Sequence, residues 1–153
     1  MKIAALVAAA LALAACGGGG GSSRLSKAQY EQKIKAEGNS LQTAFTALDI
    51  NTNKNLKELA TKIGRLRTSL EHAADDFDKL KPPKDAEADN RKIAQTLHRF
   101  ADIFGELQKA ANAGDRTKLA AGQSELLTAS RAGAEAANDL RSKGYDVGAL
   151  GGG

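Results

Sequence analysis

The sequence predicts an all-α fold: an up-down-up-down antiparallel four-helix bundle behind a cleaved signal peptide and a Gly/Ser tether. Three observations predict it. Apolar residues recur at spacings of three and four in four separate stretches, which is the period of one helix face. Alanine, leucine and lysine are abundant, and all favour helix. The connections between the stretches are short, which makes successive helices antiparallel neighbours. No stretch alternates apolar and polar residues over the length of a strand.

The N-terminal element is residues 1–15, read as a signal peptide. Lys2 supplies a positive n-region, and residues 3–14 form an uncharged apolar run. That run has the length of a signal-peptide h-region and is too short to span a bilayer with any margin. The only cysteine, Cys16, follows it directly in Leu13-Ala14-Ala15-Cys16. These four residues resemble the lipobox of bacterial lipoproteins. The resemblance implies diacylglyceryl transfer to the Cys16 sulfur and signal-peptidase cleavage between Ala15 and Cys16, often followed in such proteins by acylation of the new amino terminus. The chemistry suits the residue, since a thiolate is the strongest side-chain nucleophile available. Two or three acyl chains hold a protein stably where one does so only marginally. A lone cysteine also leaves no disulfide partner within the chain. The expected location is the extracytoplasmic face of the cell membrane, or the outer membrane in a diderm host.

Residues 16–24 form the lipidated cysteine and a linker. The five glycines of residues 17–21 with Ser22 and Ser23 read as a flexible coil, with a span of roughly 15 Å. Residues 25–145 are the bundle, one domain long enough for a real core. Residues 146–153 read as a flexible Gly-rich tail.

The first helix opens on Ser26 and Gln29 at capping-box spacing, with Leu25 and Tyr30 at hydrophobic-staple spacing. Tyr30, Ile34, Leu41, Phe45 and Leu48 share its apolar face, as does Gly38. Residues 49–55 (DINTNKN) are a polar break with several candidate caps. The second helix carries the clearest stripe, Leu56, Leu59, Ile63, Leu66, Leu70, Ala73, Phe77 and Leu80, a heptad-like seam. Pro82 and Pro83 end it. The third starts near Asp85 and presents Ile93, Leu97, Phe100, Phe104, Leu107 and Ala111. Gly114 is its expected C-terminal cap, and Asp115 the N-cap of the fourth helix. The fourth has an unusually small seam: Leu119, Gly122, Leu126, Ala129, Gly133, Ala136 and Leu140. Acid-before-base pairs four apart are Glu58 with Lys62, Asp75 with Lys79, Glu87 with Arg91, and Asp139 with Lys143. Each supports an exposed helix face modestly.

The chain as a whole resembles the small, alanine-rich helical lipoproteins of actinobacteria. The features that carry the likeness are the residue 13–16 box, Leu80-Lys81-Pro82-Pro83, Ala113-Gly114-Asp115 and the closing Gly144-Tyr145-Asp146-Val147-Gly148. The resemblance implies an anchor and a fold, and no activity.

Composition and motifs exclude several functions. Loss of Lys2 from the 22 basic residues leaves a mild excess over the 18 acidic ones. The basic residues are scattered and lack the aromatic interleaving of a stacking platform, which argues against nucleic acid. Aromatics are 4% of the chain and tryptophan is absent, which disfavours a sugar-stacking site. Neither His72 nor His98 has Glu three residues before it; Ser69 and Gln95 stand there, so the Glu-x-x-His pattern of a bundle metal site is missing. Asp75-Asp76-Phe77-Asp78 lacks the glycine and terminal glutamate of a calcium loop. Ser69 and Ser130 have no nucleophile elbow or base, and residues 17–21 lack the lysine of a phosphate loop. No catalytic, cofactor or metal residues are assigned, and the protein is not expected to be an enzyme.

The leading expectation is a non-enzymatic, lipid-anchored envelope module that acts through protein contacts or as a spacer. Its partners would be the membrane, through the anchor, and an envelope protein. The alternative is a binding protein that holds a small apolar or lipidic ligand between the helices. A contiguous inward cavity lined by Leu97, Phe100, Phe104 and Leu126 would favour the alternative.

Cys16→Ser is expected to abolish metabolic lipid labelling and membrane retention together. A serine variant that still carries label and sediments with membranes would contradict the lipobox reading.

Overall fold

The structure, a computed structural model, describes residues 23–48 and 55–151. The signal peptide, Cys16, and most of the polar break at residues 49–54 lie outside the described residues. Four helices follow one another: α1 (Lys27–Leu48), α2 (Leu56–Lys79), α3 (Glu87–Ala113) and α4 (Arg116–Ser142). A 3-10 turn at Lys84–Ala86 precedes α3, and another at Gly148–Gly151 follows α4. Among the described residues there is no strand, and the helices form a four-helix bundle.

The helix ends follow the local chemistry. In α1 the Ser26 N–H donates to Gln29 Oε1 (2.9 Å) and the Gln29 N–H to Ser26 Oγ (3.3 Å), a reciprocal capping box. Asn55 caps α2 through Oδ1, accepting from the Lys57 N–H at 3.0 Å. Gly114 closes α3 in the left-handed region (φ 72°), a conformation that suits glycine. Asp115 starts α4 by accepting from the Lys118 N–H at 3.0 Å. Past the prolines, the Leu25 N–H donates to the Lys81 carbonyl at 2.7 Å, so the start of the domain is tied to the α2–α3 hinge.

Side-chain registers fix the helix directions. Phe77 meets Asn90, and Arg67 lies beside Gly105, so α2 and α3 run antiparallel. Lys92 with Asp139 and Thr96 with Gly133 do the same for α3 and α4. Tyr30 with Asn90 and Phe45 with Phe104 place α1 parallel to α3.

The core is centred on α2 and α3. Tyr30, Ile34, Leu66, Leu70, Phe77 and Leu140 are almost wholly buried. The small seam of α4 serves close approach to α3. A Cβ at Gly122 would overlap Leu107 Cδ2, and one at Gly133 would lie 3.0 Å from Thr96 Cγ2. By contrast α1 and α4, which complete the ring, barely approach each other.

The C-terminal segment corrects the expected flexible tail. Residues 146–150 do not trail away; the turn at Gly148–Gly151 packs along α1 and touches α4. Val147 is buried and Leu150 packs against the core. The physical reason is the gap left by α1 and α4, which offers apolar surface that Val147 and Leu150 can remove from water. Two expected charge pairs also differ. Lys143 leaves Asp139 for the more buried Asp89, and Asp139 pairs with Lys92 at 3.9 Å. Lys79 pairs with Asp76 at 3.8 Å rather than with Asp75. Glu58 with Lys62 (3.5 Å) and Glu87 with Arg91 (3.9 Å) stand as expected.

Leu66→Asp tests the register. Leu66 is 2% exposed, so the variant buries an unpaired carboxylate. The loss should exceed the roughly 2–5 kcal/mol of a buried Leu→Ala change. An unaltered melting temperature would place Leu66 on the surface.

Candidate functional site

The residues singled out for possible chemistry are dispersed. His72 is exposed on α2. His98, on α3, is exposed as well, and its Nε2 lies 2.8 Å from Asp78 Oδ2. This is a surface link between α2 and α3, not a meeting of the two histidines. Asp75, Asp76 and Asp78 face solvent around the fully buried Phe77. Ser69 Oγ donates to the Arg65 carbonyl (3.2 Å) and Ser130 Oγ to the Leu127 carbonyl (2.9 Å). Both hydroxyls therefore serve their own helices. Among the described residues no three of His, Cys, Asp and Glu come together as metal ligands.

What the fold does assemble is an apolar trough. Helices α3 and α4 line it throughout, and Phe45 and Leu48 of α1 with Leu59 and Ile63 of α2 join them at the end remote from the prolines. At the end of the bundle remote from the prolines it widens into a cavity of about 460 Å³, lined by Phe45, Leu59, Ile63, Phe104, Leu119 and Leu126 among others. A second hollow of about 540 Å³ shares Phe45, Phe104, Gln123 and Leu126 with the first and adds Phe100, Leu127 and Ser130. A third, of about 270 Å³, shares Phe100 and Ser130 with the second, adds Leu97 and Gly133, and ends against Leu150. The shared residues set the three side by side along one face. No charged side chain lines any of the three.

The trough follows from the packing preferences of its walls. Glycines in α4 let it sit tightly on α3. The bulky face of α1 packs on α2 instead and stays clear of α4. Phe45, expected in the core, is therefore 41% exposed at the rim, with its ring edge-to-face on Phe104 at 6.0 Å. Leu127, on the opposite rim, is 67% exposed.

The hinge end is polar and closed by contrast. Tyr30 Oη donates to Asn90 Oδ1 (3.2 Å), and Asn90 Nδ2 donates to the Phe77 carbonyl (2.9 Å). Tyr145 packs edge-on against Tyr30, with centroids 5.8 Å apart, and donates to Asp85 Oδ1 (2.8 Å). Lys27 Nζ sits 4.8 Å from the Tyr145 ring centroid. Lys143 bridges the Asp85 carbonyl (2.9 Å) and the carboxylate of buried Asp89. Asp89 is in the first turn of α3, where the helix dipole also favours a carboxylate. A hollow beside the hinge, near Arg24, Glu87 and Arg91, is internally paired: Arg24 reaches Glu87 at 2.9 Å and the Pro82 carbonyl at 3.1 Å. Among the described residues no buried side-chain polar atom is left without a partner.

This cluster holds protons tightly. Burial, with Asp89 and Tyr145 close by, raises the Tyr30 phenol well above its ordinary value. Burial first, then the bond to Asp85, pushes Tyr145 up to about 12. The hydrogen bond to Asp89 raises Lys143. On the exposed tail, the bond from Lys35 lowers Asp146.

Sequence reasoning placed Phe100, Phe104 and Leu126 on inward faces but did not find the trough. That depends on how far α1 stands from α4, which no local pattern encodes. It missed the Tyr30, Asp85 and Tyr145 cluster for the same reason, since the partners are far apart in the chain.

Tyr30, Tyr145 and Lys143 each bind their protons more tightly when folded. Their stabilisation is complete below about pH 10, the ordinary range of these groups, and is lost as pH rises through the raised values. Lys143→Met leaves Asp89 buried without its cation. The expected cost is about 3 kcal/mol, the low end for a broken buried pair because Lys143 keeps some solvent. Urea titration at neutral and alkaline pH measures both effects. A variant as stable as the parent would show that the pair contributes nothing.

Among the described residues no helix is long and apolar enough to cross a membrane. No protein-family model, no curated protein and no solved structure matches the chain.

Proposed function

We propose that the protein is a non-enzymatic, lipid-anchored module of the bacterial envelope that holds the acyl chain of a membrane lipid in the trough between α1 and α4. The observation that carries this reading is the run of adjoining uncharged hollows over Phe100, Phe104 and Leu126, which opens to solvent between Phe45 and Leu127. Its volume falls within the range of small-molecule sites. A charged peptide would find no counter-charge along the lining, whereas an aliphatic chain needs none. The domain's own tail gives a precedent, since Leu150 already seats an aliphatic side chain at one end of the trough.

The anchor supports the same reading. Lipidation at Cys16 would hold the domain within roughly 15 Å of the headgroups on its tether, where acyl chains are the abundant apolar ligand. Leu25, the residue after the tether, is tied to the Lys81 carbonyl beside the hinge. The exposed rim residues Phe45 and Leu127 favour a second reading, docking of an apolar protein face on the same trough.

Titration of the full chain carrying Cys16→Ser with cis-parinaric acid, a long-chain fatty acid that fluoresces in apolar surroundings, separates the two. Saturable binding is expected. Leu126→Glu should weaken it at least tenfold, because the occupant would have to desolvate a carboxylate, and should leave the helical content intact. Absence of saturable binding, together with concentration-dependent dimer formation, would overturn the acyl-chain reading in favour of protein docking.

A further inference from the structure

Gly38 stands inside α1, where glycine costs about 1 kcal/mol relative to alanine. It is buried, and what fills the space beside it is the C-terminal turn. A Cβ at Gly38 would lie 3.1 Å from both Leu150 Cγ and the Leu150 amide nitrogen. The slot for Leu150 is therefore cut into α1 itself. On its other side Leu150 abuts the arm of the trough lined by Ile93, Leu97, Phe100 and Ala137. The segment thus walls the trough's upper arm on its α1 side and narrows the place an apolar ligand would have to enter to use the full length.

The segment is held unevenly along its length. Tyr145 and Val147 are nearly inaccessible, and Tyr145 is locked to Asp85 and stacked on Tyr30. Asp146 is tied to α1 twice, through the ion pair with Lys35 and through its N–H to Glu31 Oε1 at 3.1 Å. Beyond that anchor the hold weakens. Ala149 and Leu150 are only half-buried, and the Leu150 N–H bonds within the turn, to the Val147 carbonyl at 3.2 Å. Gly148, in the left-handed region (φ 51°), stands before them and Gly151 after. A strong anchor followed by two apolar residues between glycines has the mechanics of a hinged plug.

We infer that Ala149 and Leu150 form a displaceable plug, which narrows the upper arm of the trough and swings out about Gly148 when a long aliphatic chain enters. This rests on the acyl-chain reading of the trough and adds to it a chain-length threshold. From Leu107 to Ile93 the floor runs roughly 21 Å at the helical rise, and with the plug seated the stretch from Phe100 to Ile93 keeps a hollow of only about 270 Å³, against about 460 and 540 Å³ in the rest of the trough. Short chains fit without moving the plug; long ones displace it.

The test uses the full chain carrying Cys16→Ser and Ala149→Cys, with a nitroxide on the new cysteine, and electron paramagnetic resonance of the label. Palmitic acid should mobilise the label, and hexanoic acid should leave it unmoved at saturation. The same label at Ala28, an exposed site on α1, should respond to neither. In the unlabelled Cys16→Ser chain, Leu150→Ala should tighten cis-parinaric acid binding about three- to tenfold. Gly38→Ala, which narrows the slot from the other side, should act in the same direction. Parinaric acid binding with an immobile label, and no effect of Leu150→Ala, would overturn the plug and leave the trough's function standing. Absence of binding in parent and variants alike would overturn both.

Discussion

The structure depends on one geometric constraint: α4 is drawn onto α3 more closely than α1 can follow. Gly122 and Gly133 remove the side chains that would hold α4 away from Leu107 and Thr96. Helix α1 carries Tyr30, Ile34, Leu41, Phe45 and Leu48 on one face, and it settles against α2 and the α2–α3 groove. Four helices of equal girth would close a ring. Here a thin seam on one helix and a thick one on its neighbour leave the ring open along α1 and α4.

The two ends of that opening are treated differently. At the hinge end the chain returns after Gly144 and fills the gap with Tyr145, Val147 and Leu150, locked by hydrogen bonds to Asp85 and α1. Nothing in the described residues fills the remote end, where Phe45, Leu59, Leu119 and Leu126 surround empty space. The polar-anchored chain fills one end of the opening, and the other end stays apolar. The partition agrees with the chemistry of each end. The alkaline-sensitive protons and the buried carboxylate belong to the closed half, and the trough carries no charge.

Much of the fold was legible in the residues. The stripe from Leu56 to Leu80, the proline stop, the Ser26 and Gln29 box and the Gly114-Asp115 junction are local signals, decided within one or two turns of chain, and each appears as read. The glycines of the tail are a local signal for flexibility and do not announce its docking. Its docking depends on a slot at Gly38, more than a hundred residues earlier. Lys143 was assigned to Asp139 on spacing, but the bundle brings the more buried Asp89 within reach. The candidate site was legible only as inward-facing positions. Whether such positions meet a neighbour or a void is a property of how two helices stand apart, and it is not written in either helix alone.

The central claim is that the space between α1 and α4 accepts an aliphatic chain. Intermolecular nuclear Overhauser effects between unlabelled dodecanol and a methyl-labelled full chain with Cys16→Ser test it most directly. The account predicts contacts from the alkyl chain to the methyls of Leu59, Ile63, Leu119 and Leu126, with the buried Leu66 and Leu70 silent. Contacts confined to the exposed methyls of Leu127, or spread evenly over the surface, would contradict it.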